Sequence, residues 1–178
     1  MDFEIGLSHR VFGKRPPLET DFQQFRKFNI RNMELSLLRE WPLPYTRETI
    51  AEVCQNVGHW LKKYNLQTVS VHGPSGMPGR GHWLADPDEA TRRQNVQERR
   101  FILEGAKMIG AKYMIVEYEC YDHWPFWPHN AAVETTYPHV YESWKRSVEE
   151  LIADADRTGV KIAVENMSRL HRGGVDAE

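Results

Sequence analysis

The chain has 178 residues, of which 40% are hydrophobic, 11% aromatic and 27% charged, with a formal net charge of −2. That composition fits one soluble globular domain over 1–178, long enough to bury a sizeable core. The near-neutral balance gives no general pull toward nucleic acid or an anionic membrane, and no apolar run approaches the ~20 residues of a membrane span.

The opening segment "MDFEIGLSHR" enters a strand pattern directly, without the features of a signal peptide. Cys54 and Cys120 form no CxxC pair, so a reducing cytoplasm is the expected compartment. A first strand is predicted over 3–9. A helix follows from near Leu18, burying Leu18, Phe22 and Phe25, with Phe28 a further candidate. The second strand is "NMELSLL", 32–38. Thr46 is a good N-cap for the next helix, whose apolar residues Ile50, Val53, Cys54, Val57, Trp60, Leu61 and Tyr64 recur at spacings of three and four.

The third strand is "TVSVH", 68–72. In "DPDEA", Asp86 is the expected cap and Pro87 the first helical residue, and this helix is expected to end at Gly110. A fourth strand, "YMIVEYE", covers 113–119, followed by a long loop rich in Trp, Pro and His. A last helix, from about Pro138 to Thr158, is expected to bury Val140, Trp144, Val148, Leu151, Ile152 and Ala155. The fifth strand is "VKIAVE", 160–165. Strands that alternate with single crossover helices imply a parallel sheet.

An open parallel sheet is covered on both faces, and its strands read as continuous apolar runs. These strands alternate instead. Val69 and Val71 oppose Thr68, Ser70 and His72; Ile162 and Val164 oppose Lys161, Ala163 and Glu165. Met33, Leu35 and Leu37 oppose Glu34 and Ser36. One apolar face and one polar or small face suit a (β/α) barrel whose interior holds a polar site. No GxGxxG or GxxxxGK[ST] follows any strand, which weakens a nucleotide-binding sheet. A five-stranded doubly wound domain stays as the alternative.

The inward residues at the strand ends are the site candidates. Glu165 is either a ligand or an edge residue kept polar by solvent. His72 either lines a site or bonds a carbonyl of the turn "GPSG". Glu117 and Glu119 meet substrate or metal, or pair with a neighbouring strand, and Glu34 supports the site or is structural. His9 falls on the apolar parity and is a weak candidate. In "CYDHWPFWPHN", Trp124 and Trp127 suit the C–H faces of a sugar, and the loop is otherwise a hydrophobic plug or subunit contact. Arg92–Arg93 and Arg99–Arg100 read as a solvated outer face rather than a phosphate site.

The segments "MELS", "SVHGP", "EGAKMIGAKYMIVEY" and "IAVEN" occur in an order and at a spacing that resemble the xylose isomerase-like TIM barrels. That family includes sugar-phosphate isomerases and epimerases, inosose dehydratases and the second family of apurinic-site endonucleases. The resemblance covers Phe3 to about Asn166. It implies a divalent metal ion at the barrel mouth, with Mn, Mg, Zn and Co not distinguished. The ion is held by a strand-5 Glu, matched by Glu165, and by Asp, His and Glu residues of later strands. It also implies that a ligand carboxylate moves the proton beside the substrate carbonyl, which makes Glu165 the candidate catalytic residue. His72 matches a strand-3 His that lines the site, and Glu117 stands where the endonucleases carry a metal-binding His. With the missing basic excess, that departure points away from DNA repair.

A full barrel of this type has eight strands and ~250 residues, so five strands are expected to form a partial barrel that stops midway. The resemblance implies a metal-dependent sugar or sugar-phosphate isomerase or epimerase, incomplete in this chain. A non-catalytic fragment or half-barrel binding module is the alternative, and a sugar dehydratase a more distant one. The expected partners are a small sugar and, through open sheet edges, a second copy of the chain.

Overall fold

A computed structural model describes residues 6–37, 44–76, 81–117 and 138–165. In chain order the elements are β1 (Gly6–Ser8), a 3-10 turn (His9–Phe12), α1 (Glu19–Lys27), β2 (Asn32–Ser36), α2 (Arg47–Tyr64), β3 (Gln67–His72), α3 (Glu89–Met108), β4 (Tyr113–Glu117), α4 (Pro138–Thr158) and β5 (Lys161–Glu165). All pairings are parallel and the strand order is β1-β2-β3-β4-β5. A doubly wound sheet reverses its order at a switch point. Here each crossover steps the same way and, being right-handed, lays its helix on the same face. The described residues therefore form a partial (β/α) barrel, with β1 and β5 at its edges.

The core lies between sheet and helices. Met33, Leu35, Val71, Met114 and Val116 from the strands meet Ile50, Cys54 and Val57 of α2, Val96, Ile102, Leu103 and Ala106 of α3, and Leu151 and Ala155 of α4, all buried. α2 and α3 cross closely at Gly105, where a Cβ would come within 2.7 Å of both Cys54 Sγ and Ile50 Cγ2. Burial pushes the Cys54 thiol up to about 12, so it serves as packing and not as a nucleophile.

Local chemistry sets the helix ends. Thr46 caps α2 by accepting from the Thr49 amide, and α2 ends on Asn65 in the left-handed region. α3 begins later than the sequence suggests. Asp88 caps it by accepting from the Thr91 amide at 2.8 Å, while Asp86 accepts from the Asp88 amide one step earlier. Gly110 and Gly159 follow α3 and α4 with φ of 72° and 77°.

Other expectations are corrected. Leu18 and Phe28 are exposed, because the two residues sit at the caps of α1, outside its buried stripe. Ile152 is exposed, one position round α4 from buried Leu151. In β3, Thr68 is buried and Val69 exposed, the reverse of strict alternation. A register shift pairs Met33 with Thr68 but Glu34 with Ser70, so Val69 is an extra residue in a bulge. β1 ends at Ser8, whose hydroxyl accepts from the Arg10 amide and starts the 3-10 turn.

Of the arginines named on α3, Arg93 is solvated as expected, with a side chain 72% exposed, but Arg92, Arg99 and Arg100 are held between elements. Arg92 is buried between Glu89 of its own helix and Glu150 and Ser147 of α4. Arg100 reaches Asp154 at 2.6 Å, so this cluster ties α3 to α4. Arg99, also buried, turns the other way and donates to the carbonyls of Pro74 and His82 in the loop after β3.

Candidate metal centre

Three side chains converge at the C-terminal ends of β3, β4 and β5. Glu117 and Glu165 are register partners on neighbouring parallel strands, and His72 ends β3 beside Ile115. His72 Nε2 lies 3.0 Å from Glu165 Oε2 and 3.8 Å from Glu117 Oε1. One ligand atom from each residue falls within 4.8 Å of the others. The Glu165 side chain is 43% exposed; those of His72 and Glu117 are 16% and 9% exposed.

Two features of this arrangement call for a cation. Like charges directly opposite on adjacent strands repel, and Glu117 and Glu165 are so placed. In addition, His72 Nδ1 is 2.7 Å from the Gly73 carbonyl oxygen, which can only accept, so Nδ1 carries a proton. In the neutral ring Nε2 then offers a lone pair toward carboxylate oxygens. A proton on Nε2 or a metal ion between the three groups resolves that conflict. One imidazole nitrogen and two carboxylates are a suitable donor set for Zn2+, Mn2+ or Co2+, so the residues present fit the group.

The other candidates are placed elsewhere. Glu34 spends its oxygens on Ser36 (3.2 Å) and Ser70 (3.1 Å), and Ser36 joins Ser8 at 2.7 Å, stitching β1, β2 and β3 along the inner face. A cavity of about 480 Å³ opens over this row. His9 is buried and its Nδ1 accepts from the Ser36 amide, a structural role, and desolvation lowers its pKa. Trp124, Trp127, His123, His129 and Glu119 lie outside the described residues. Sequence reasoning missed Ser75, whose hydroxyl donates to Glu117 Oε1 at 2.6 Å. The available signal was a hydroxyl in a tight turn three residues after His72.

A family model described as the xylose isomerase-like TIM barrel matches residues 22–176. This chain belongs to that family. None of the curated proteins compared matches it. Among solved structures, the 3-keto-D-glucoside 4-epimerase from E. coli superimposes with a TM-score of 0.66 at 17% identity, covering 92% of this chain and 56% of that one. The D-psicose 3-epimerase with D-tagatose from Clostridium cellulolyticum H10 gives 0.64 at 14% identity, covering 91% and 52%. The IOLI protein with a bound zinc atom gives 0.60 at 15% identity, covering 93% and 52%. At such identities the likeness shows the fold. The chain spans about half the length of these structures. No helix among the described residues is long and apolar enough to cross a membrane.

Proposed function

We propose that this chain carries the metal-holding side of a sugar isomerase or epimerase site, which moves a proton on the carbon beside a substrate carbonyl. The observation that carries this reading is the convergence of His72, Glu117 and Glu165 at the strand ends. The names of structurally similar proteins, two of them sugar epimerases and one holding zinc, support it. His72, Glu117 and Glu165 would hold the ion, which would polarise the carbonyl and its neighbouring hydroxyl.

The three side chains differ in freedom. Glu117 is buried and tied to Ser75, so it is the fixed ligand. His72 is locked by its Nδ1 bond to Gly73 O and directs Nε2 to the common point. Glu165 is the most open of the three. A substrate can reach it, and it takes and returns the proton as general base and acid. Trp124 and Trp127 are proposed to pack on the sugar and exclude water.

The test is exchange with solvent. D-tagatose and other ketohexoses are incubated with the protein and Mn2+, Co2+ or Zn2+ in D2O, and the proton beside the carbonyl is followed by NMR. Loss of that signal with the wild type, absent with Glu165→Gln, is expected; equal exchange in both would sink the reading. Metal binding without exchange would favour a second reading, a module that binds without turnover. That reading is supported by the place of Glu165 on an edge strand of the described sheet.

A further inference from the structure

The loop after β3 is built more tightly than a connection needs to be. Its amide at Gly73 donates to Ile115 O of β4 at 3.0 Å, which extends the sheet pairing beyond His72. Buried Arg99 reaches up from α3 and donates to Pro74 O and, at 3.0 Å, to His82 O, tying the loop's two ends together. A Cβ at Gly73 would sit 3.2 Å from Arg99 Nε, and one at Gly76 would sit 2.3 Å from the backbone of Trp83. At Gly76 only glycine allows this approach, whereas at Gly73 the arginine would have to give by a few tenths of an ångström. Between these two glycines stand Pro74 and Ser75, and Ser75 points its hydroxyl at Glu117 Oε1, 2.6 Å away.

Glu117 is fixed from a second side. The Trp144 indole N–H of α4 donates to the Glu117 carbonyl oxygen at 3.2 Å, so the backbone at the end of β4 is held while Ser75 holds the side chain. A carboxylate oxygen has two lone pairs. Ser75 bonds one oxygen, Oε1, and that same oxygen lies 3.8 Å from His72 Nε2. Like charges placed opposite each other repel, and the Ser75 hydroxyl opposes a swing of the Glu117 carboxylate away from Glu165.

We propose that Ser75 is a positioning residue for Glu117, holding its carboxylate on the His72–Glu165 point, with the Arg99 clamp setting the place of Ser75. The inference rests on the metal reading of the site and assigns a partner outside its three ligands. Groups that orient a metal ligand typically change affinity about 10- to 100-fold when removed.

The experiment uses Co2+ alone as the probe, titrated into the full chain and followed by its visible d–d absorption. The proteins are the wild type and the Ser75→Ala, Ser75→Thr and Glu117→Gln variants, each checked for an unchanged thermal midpoint. Ser75→Ala is expected to weaken Co2+ about tenfold or more and shift the absorption envelope. Ser75→Thr, which keeps the hydroxyl, is expected to recover most of the affinity. A Ser75→Ala protein that binds like the wild type while Glu117→Gln does not would overturn the positioning role and leave the metal site standing. Absence of Co2+ binding in the wild type would overturn both together.

Discussion

The two faces of the sheet are built for different purposes. On the helix side, Met33, Leu35, Val71, Met114 and Val116 are at most 2% exposed and pack against three helices. On the inner side, the sheet presents Ser8, Glu34, Ser36 and Ser70, linked by hydrogen bonds, and His72 and Glu165, bonded to each other. Alternation makes this possible, since neighbouring residues of one strand serve opposite faces. The helix side supplies the free energy of folding. The inner side spends little of it and is free to carry charge.

Substitutions separate the two faces. Leu103→Ala, at a fully buried position on α3, should have the largest effect: a loss of about 2–5 kcal/mol in urea unfolding. Co2+ affinity of the folded fraction should be unchanged; a coupled loss of both would break the division between faces. Gly105→Ala should cost about 1–3 kcal/mol by overpacking against Cys54 and Ile50. That loss must exceed the ~1 kcal/mol that alanine returns in helix propensity, so a stabilised variant would refute the close crossing.

On the inner face, Glu34→Gln keeps an acceptor for one serine and should shift stability by less than about 1 kcal/mol. A larger loss would mean that this face, too, holds the fold. The smallest effect concerns Glu89, whose carboxyl is held down to about 2 by Arg92, with Arg93 also donating to it. A depressed carboxylate stabilises above its unfolded value of 4.5 and loses that contribution as pH falls toward about 2. Between those values the thermal midpoint of the wild type should drop more steeply than that of Glu89→Gln; parallel curves would count against it.

Much of the outer face was legible because periodicity reports burial. The stripe of α2, the left-handed exit at Gly110 and the buried row of β2 follow from spacing and residue type. Where tertiary contacts intervene, spacing misleads. The bulge at Val69 needs β2 as its partner, and no single strand reveals it. Arg92 and Arg99 read as surface charges until α4 and the β3 loop supply their acceptors. In the site, strand parity marked His72, Glu117 and Glu165 as inward, but only the register of β4 against β5 sets the two carboxylates side by side. For Ser75 the sequence offers only a hydroxyl in the turn after His72, because its meaning lies in a contact 42 positions away.

The central claim is that His72, Glu117 and Glu165 hold one divalent cation. Its most direct test is zinc stoichiometry and affinity by calorimetry on the full chain, wild type beside His72→Ala and Glu165→Gln. One Zn2+ per wild-type chain, with binding lost or weakened at least tenfold in each variant, is the result predicted here. Equal zinc binding by all three proteins, or none by the wild type, would contradict it.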